Sequence, residues 1–122
     1  MSIFIGDVVL HDDKHWVVAA LYHSESMARI IHQAANGVRT SFTQETIGLD
    51  KVDSPSFEEG ERVIVNGLPG SVVSTDFDSW VAHVMLDART KPLRGGGALA
   101  IPAGISRVPF WQLVLENKMN GE

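Results

Sequence analysis

The stretch that decides the fold reads Gly60-Glu61-Arg62-Val63-Ile64-Val65-Asn66-Gly67-Leu68-Pro69-Gly70-Ser71-Val72-Val73. It contains a glycine–acid pair, a β-branched run, a short polar turn and a second β-branched run, which is the pattern of a β-hairpin. The same order recurs earlier, with one residue fewer, as Gly6-Asp7-Val8-Val9-Leu10-His11-Asp12-Asp13-Lys14-His15-Trp16-Val17-Val18. An aromatic residue precedes each glycine, Phe4 in the first copy and Phe57 in the second. The chain therefore contains an internal repeat of β structure.

Further strand signals follow each hairpin. The run Met27 to His32 comes after the first copy, and Trp80 to Leu86 takes the same place after the second. The segment Ser24 to Ala35 also fits a helix, because its apolar residues recur at helical spacing. We prefer the strand interpretation because the corresponding part of the second copy has a β pattern.

Turn-forming residues mark the hairpins and one boundary. Asp12-Asp13 and Asn66-Gly67 tolerate positive φ and predict the two hairpin turns. Pro69 cannot donate a ladder hydrogen bond, so the second hairpin loop is expected to be longer than two residues. The polar cluster from Val52 to Ser56 contains a Ser-Pro pair, which predicts a linker between two apolar segments.

The 122 residues then divide into two predicted units, residues 1–53 and residues 57–117. Each is near the lower size limit for independent folding, so we expect the two units to pack against each other. The second unit has a long loop, residues 88–98, with no counterpart of equal length in the first. Long loops on rigid scaffolds often carry function. The polar end, residues 116–122, is expected to fray.

The segment Phe57 to Val73 resembles the opening of a KOW or Tudor-type SH3-like barrel. The shared pattern is the glycine–acid pair, an alternating strand, a Gly-x-x-Gly turn and a returning valine strand. The resemblance implies a mainly β chain of two tandem SH3-like small β-barrels packed together. It also implies a binding protein without catalytic machinery or cofactor, since members of that group bind proteins, RNA or modified peptides. The first copy departs from the pattern at Asp12, Asp13 and His15, which replace the turn glycines.

Composition narrows the classes of function. The net charge of −5 argues against general binding of a phosphate backbone, and most of the acidic excess lies in residues 1–58. The sequence has no cysteine, which excludes disulfides, thiolate zinc sites and cysteine nucleophiles. The first residues lack the pattern of a secretory signal, and no apolar run reaches the ~18 residues of a membrane span. These features predict a soluble, cytoplasmic protein that does not contact a membrane.

Two polar motifs are candidate chemical sites. If Asp12 to Lys14 form the hairpin loop, His11 and His15 face each other across neighbouring strands. A zinc site there needs a third ligand, for which the sequence provides only His23 or His32. The segment Asp76-Phe77-Asp78 could pair two carboxylates, but aspartate is common in turns and a turn is expected there. No metal ligand and no catalytic residue is therefore assigned.

The long loop is the better candidate site. Lys91-Pro92-Leu93-Arg94-Gly95-Gly96-Gly97 places two cations beside a glycine run whose backbone can form an anion-binding nest. No Gly-Lys-Ser/Thr follows, so a nucleotide loop is not expected. Phe110-Trp111 is expected on a strand, with one ring inward and one outward, which makes Trp111 a candidate protein contact. The predicted binding residues are Arg89, Lys91, Arg94, Gly95, Gly96, Gly97 and Trp111.

Three functions follow from these patterns. The leading one is a non-catalytic accessory, adaptor or inhibitor protein, of a phage or bacterial type, that docks a protein partner through barrel edges and the 88–98 loop. Edge strands would also permit a homodimer by backbone pairing. The second is nucleic-acid binding through the second unit, with contacts from Arg62, Arg89, Lys91, Arg94 and Arg107. The third is a small metal-binding protein or enzyme that uses His11 and His15.

Overall fold

The first of two larger sheets lies in the N-terminal half of the protein. The computed structural model describes residues 2–119, and within them the chain is mainly β, as predicted. The first sheet is antiparallel, with strand order β4-β3-β2-β1-β5. Its strands are β1 (Val8–His11), β2 (Lys14–Tyr22), β3 (Met27–Gln33), β4 (Arg39–Glu45) and β5 (Asp50–Asp53), with a 3-10 turn at Thr46–Gly48 before β5. The strand interpretation of the Ser24 to Ala35 segment is confirmed for its centre.

The second larger sheet has strand order β11-β8-β7-β6. Its strands are β6 (Arg62–Val65), β7 (Leu68–Asp76), β8 (Val81–Leu86) and β11 (Gly104–Pro109). A separate two-stranded sheet of β9 (Arg89–Pro92) and β10 (Ala98–Ile101) is inserted between β8 and β11, and helix α1 (Phe110–Asn117) follows β11. No helix within residues 2–119 has the length and apolar character needed to cross a membrane.

The two larger sheets begin with the same hydrogen bond, from a glycine amide to a valine carbonyl of the second strand. The amide of Gly6 donates to the carbonyl of Val18 at 2.8 Å, and the amide of Gly60 donates to the carbonyl of Val72 at 2.7 Å. Both second strands also shift register directly after that valine. The number of residues from glycine to valine is the same in both units. The repeat therefore aligns without an insertion, and the sequence alignment that contained one was wrong.

Pro69 does not lengthen the second hairpin. Asn66 and Gly67 both have positive φ and form the whole turn, so Val65 pairs directly with Leu68. Pro69 lies opposite the next residue of β6, where antiparallel partners exchange no hydrogen bonds. Its missing N–H therefore removes no bond from that pair, and the prediction of a longer loop was wrong.

The inner cores of the two units use matching positions. The first core consists of Val9, Trp16, Val18, Ala28, Ile30 and Leu49. The second consists of Val63, Val65, Val72, Ala82, Val84, Val108 and Leu113. Counted along the paired strands, the positions of Val9, Val18, Ala28 and Ile30 correspond to those of Val63, Val72, Ala82 and Val84. Gly70 stands where the first unit has Trp16, and a Cβ there would lie 2.7 Å from the Met85 carbonyl oxygen.

Helix α1 begins where the first unit has its 3-10 turn. The amide of Phe110 donates to the carbonyl of Trp80 at 2.9 Å, and the amide of Thr46 makes the matching bond to Ser26 at 2.9 Å. The strand predicted at Phe110-Trp111 is wrong. A helix forms because its apolar residues recur at helical spacing and are buried on both units. They are Phe110, Leu113, Val114 and Leu115.

Asn117 closes the outer edge of β6. Its Oδ1 accepts a hydrogen bond from the Ile64 amide at 2.7 Å, and its Nδ2 donates to the Ile64 carbonyl at 2.9 Å. Glu116 Oε1 accepts from the Asn66 amide at 3.0 Å. In the first unit, β5 pairs with the corresponding edge of β1. Fraying was predicted from residue 116 onward, but Glu116 and Asn117 are held in place; residues 120–122 lie outside the described residues.

Helix α1 also joins the two units. Three of its residues, Phe110, Val114 and Leu115, are buried in one cluster with a row on the outer face of the first sheet, Val8, Val17 and Ile31. The first sheet is therefore covered on both faces along β2. Such a shared core supplies apolar burial that each small unit lacks by itself.

Candidate functional site

A hairpin extends from the second sheet between β8 and β11, and we name residues 88–103 the arm. Its strands β9 and β10 pair with each other alone in the part of the chain described, and every residue from 90 to 100 is exposed. The sequence predicts a loop over 88–98, and this prediction is wrong for its two ends. The apolar residues Ala98–Ile101, mostly beyond the predicted loop, form the second strand.

The tip of the arm is the turn from Leu93 to Gly97. Its three consecutive glycines have φ values of 91°, 105° and 81°, a region in which L side chains are strained. The Leu93 amide donates to the Gly97 carbonyl at 3.1 Å, and the Gly96 amide donates to the Leu93 carbonyl at 3.2 Å. The tip is therefore a hydrogen-bonded turn that presents Arg94 to solvent.

The charged residues of the arm and of the strand after it are all basic. Residues 88–109 contain four basic residues and no acidic residue, although the whole chain has a net charge of −5. These cations are Arg89, Lys91, Arg94 and Arg107. Within residues 2–119, no ion pair joins any of them to a carboxylate. The arm therefore concentrates uncompensated cations on an otherwise acidic protein.

One face of the arm combines cations with apolar side chains. The register pairs Arg89 with Ile101 and Lys91 with Leu99, and directly paired residues lie on the same face of a hairpin. Leu99 is 50% exposed, and Ile105 on β11 is 61% exposed. An open cavity of about 520 Å³ lies at the base of the arm, lined by Ala88, Arg89, Thr90, Ala100, Ile101 and Pro102. Sequence reasoning missed the apolar residues, although the acid-free run 88–109 indicated the segment.

Arg62 differs from the arm cations. Its guanidinium forms a bidentate ion pair with Asp87 and also donates to Ser71 Oγ at 2.8 Å. This hydrogen-bonded pairing raises the pKa of Arg62 and lowers the pKa of Asp87. Arg62 is thus a less available contact than the cations of the arm.

The structure does not bring Trp111 to the arm. Trp111 lies on α1 and packs against the first sheet, with the Arg39 guanidinium carbon 5.9 Å from its ring centroid. Arg39 also pairs with Glu116 at 3.3 Å. Of the seven predicted binding residues, six therefore belong to the arm, and Trp111 belongs to the contact between the units.

The histidines do not face each other as predicted. The two-residue turn pairs His11 with Lys14 and places His15 opposite Leu10. The His11 ring packs edge-on against Trp16, with centroids 6.2 Å apart. Among residues 2–119, no group of three His, Cys, Asp or Glu side chains could hold a metal ion.

The Asp76 segment forms the turn that the sequence favours. Asp76 Oδ1 accepts hydrogen bonds from the amides of Asp78 and Ser79, at 2.9 and 3.4 Å. Asp76 Oδ2 accepts from the Ser79 hydroxyl at 2.8 Å. These hydrogen bonds, the hydroxyl first, lower the pKa of Asp76. The Asp76 carboxylate thus stabilises the turn that follows it.

Comparisons of the chain with protein-family models, curated proteins and solved structures give no significant match. The SH3-like resemblance therefore stays a prediction, and the arm is interpreted from its own chemistry.

Proposed function

We propose that this protein is a non-catalytic binding module whose arm docks on an acidic surface of a partner protein. The observation that carries the proposal is one face of the arm, where Arg89 and Lys91 lie beside Leu99 and Ile101. Apolar side chains at the centre of a contact, with arginine near them, are the composition of protein–protein interfaces.

The apolar side chains favour a protein over a nucleic acid as the partner. A phosphate backbone is bound by charge and counterion release, to which an exposed leucine or isoleucine contributes nothing. The chain outside residues 88–109 is strongly acidic, so it would repel a nucleic acid that extends beyond the arm. A local acidic patch on a protein would contact the arm alone.

The barrel resemblance and the accessory role are part of this proposal. The five-stranded antiparallel sheet of the first unit and the matching hairpin of the second support the SH3-like interpretation. The side chains of the arm carry guanidinium, ammonium and aliphatic groups and the hydroxyl of Thr90, a set that supports binding. The cysteine-free sequence is compatible with a reducing, cytoplasmic setting, and the proposal includes an accessory role of a phage or bacterial type.

The connection between β3 and β4 of the first unit can replace the arm in a deletion variant. Leu86 pairs with Gly104 at the base of the arm, as His32 pairs with Thr40 in the first sheet. Replacing residues 88–102 by a copy of the short connection Ala34-Ala35-Asn36-Gly37-Val38 removes all of the arm except Ala103. Seven residues then join Leu86 to Gly104, as seven join His32 to Thr40, so the pairing of β8 with β11 stays in register. A second variant, Arg89→Glu with Lys91→Glu and Arg94→Glu, keeps the arm and reverses its charge. Arg29→Glu on β3 is the matched control, because Arg29 is also exposed.

The measurement is capture of proteins from host extract by each immobilised variant, quantified by mass spectrometry. We expect the wild type and Arg29→Glu to capture the same partner, and the two arm variants to lose it while each still unfolds in a cooperative thermal transition. Capture that survives removal of the arm would overturn the proposal. Tight binding of labelled RNA or DNA by the wild type, with a steep salt dependence, would assign the arm to nucleic acid instead.

A further inference from the structure

The first unit has an exposed apolar surface at its 3-10 turn. Ile47, the middle residue of that turn, is 92% exposed. Two cavities of about 380 and 300 Å³ open beside it, and both are lined by Ile3, Thr46 and Ile47. Asp50 lines one of the cavities and Glu25 the other. We name these five residues the turn patch.

The corresponding position in the second unit is covered. Thr46 and Phe110 make matching amide bonds, so Ile47 corresponds to Trp111. Trp111 packs against the first sheet and under the Arg39 guanidinium. The same position of the repeat is therefore an interface in the second unit and open to solvent in the first. The exposed Ile47 side chain beside the two cavities offers apolar area that a partner would bury.

The turn patch carries negative charge. Glu25 and Asp50 are exposed, and no ion pair joins either of them to a basic side chain within residues 2–119. Lys51 lines the same cavity as Asp50, but its ammonium is engaged by other groups. Its Nζ donates to the Ser2 carbonyl at 3.4 Å and lies 3.4 Å from Asp7 Oδ2 and 5.7 Å from the ring centroid of Phe4. The patch thus combines an apolar centre with uncompensated carboxylates.

We propose that the turn patch receives the arm of a second copy of this chain. The inference rests on the proposed function, because it names the acidic protein surface on which the arm docks. The charges are complementary: Lys91 and Arg94 of one copy meet Glu25 and Asp50 of the next. The exposed apolar side chains of the arm cover Ile47. Arm and patch are different surfaces, so each copy both gives an arm and receives one, either reciprocally in a two-fold dimer or head to tail along a series of copies.

Two charge-reversed variants test this pairing. The arm variant carries Lys91→Glu and Arg94→Glu, and the patch variant carries Glu25→Lys and Asp50→Lys. Sedimentation velocity at low salt, over a range of concentrations, measures self-association of each variant. Arg29→Glu is again the control, because it reverses a charge outside both surfaces.

We expect the wild type and the control to self-associate, and the association to weaken as salt is added. Each charge-reversed variant alone is expected to associate roughly 100-fold more weakly, because like charges then face each other. An equimolar mixture of the two variants restores association, since every arm then finds a patch of opposite charge. A monomeric wild type, or a mixture that stays monomeric, would overturn the inference.

The outcome is distinguishable from failure of the proposed function. If the wild type is monomeric but arm-dependent capture of another protein persists, the proposed function stands and the second copy is not the partner. If the arm variant self-associates like the wild type and captures the same proteins, both proposals fail.

Discussion

The two units have separate inner cores built on matching positions, and they differ on their outer faces. The first unit buries the row Val8, Val17 and Ile31 under helix α1. The corresponding row of the second unit is Arg62, Ser71 and Met85, in which Arg62 is exposed and paired with Asp87. The two units therefore have apolar residues at the same inner-core positions. They differ in the outer row, which determines what each unit packs against.

The difference continues after the third strand of each unit. The first unit has a short connection between β3 and β4, a 3-10 turn and β5. The second has the arm between β8 and β11, and then α1 in place of the turn and strand. Binding features and inter-unit contacts thus lie where the repeat diverges, whereas the hairpins that match provide the scaffold.

The largest expected effect comes from the matched pair Phe110→Ala and Thr46→Ala. The buried Phe110 ring packs edge-on against Phe57 and Phe77, with centroids 5.8 and 5.4 Å apart. Its loss is expected to lower the free energy of unfolding by about 3–5 kcal/mol. Thr46→Ala removes a hydroxyl that donates to the backbone carbonyls of Glu25 and Ser26, at a cost of about 1 kcal/mol. Urea unfolding measures both, and equal effects would contradict the role of α1 in joining the units.

The glycines that open the two repeats give a second comparison. Gly6 has φ of 93° and its missing Cβ would overlap the Phe110 ring, so Gly6→Ala is expected to cost about 3 kcal/mol from strain and overpacking. Gly60 has φ of 88° with open space around it, so Gly60→Ala costs only the strain, about 1 kcal/mol. Thermal unfolding checks the order. A neutral Gly6→Ala would show that α1 does not lie against this turn.

A smaller effect is expected at the edge of β6. Asn117→Ala leaves the Ile64 N–H and C=O without their partner, at a cost of about 1–3 kcal/mol, less where water reaches the edge. Hydrogen exchange gives a sharper signal, because the Ile64 amide should exchange faster. The amide of Leu10, at the matching position beside β5, serves as the internal control. Unchanged exchange at Ile64 would mean that the carboxamide does not protect this edge.

The smallest effect concerns Glu61. A hydrogen bond from Lys118 at 2.8 Å, and then one from the Glu58 amide, lower the pKa of Glu61. The stability this carboxylate contributes is present above its unfolded-state pKa and is lost as the pH falls through the lower folded-state pKa. Lys118→Met should raise the pKa of Glu61 towards its ordinary value and cost about 0.5 kcal/mol at neutral pH. NMR titration measures the shift, and an unchanged pKa would rule out the pairing.

The sequence predicts the hairpins well because their signals are local. Glycine, turn residues and β-branched runs act within a few positions, so both hairpins and β3 could be placed from the pattern. Helix α1 was missed because Phe110-Trp111 has strand propensity, although Phe110, Leu113 and Val114 recur at helical spacing. Tertiary burial between the units, which no local window contains, decides in favour of the helix.

The sequence predicts which residues form the candidate site, but it does not predict that they lie on a hairpin. The cations and glycines from residue 89 to 97 were identified, but the hairpin was not, because alanine in Ala98–Ile101 has weak strand propensity. The register that sets Leu99 beside Lys91 appears only when both strands are known. Trp111 was assigned to the surface because adjacent residues on a strand alternate, whereas on a helix both can lie towards the same neighbour.

The position of α1 in the chain has a consequence for synthesis. The row Val8, Val17 and Ile31 leaves the ribosome early, but the residues that cover it are made last among the elements described. At roughly 5–20 residues per second, that apolar row waits several seconds for its cover. A nascent chain halted before residue 110 would contain the whole first sheet but would expose this apolar row to chaperones and proteases. Exposure of Val8, Val17 and Ile31 therefore distinguishes an interrupted chain from one that contains α1.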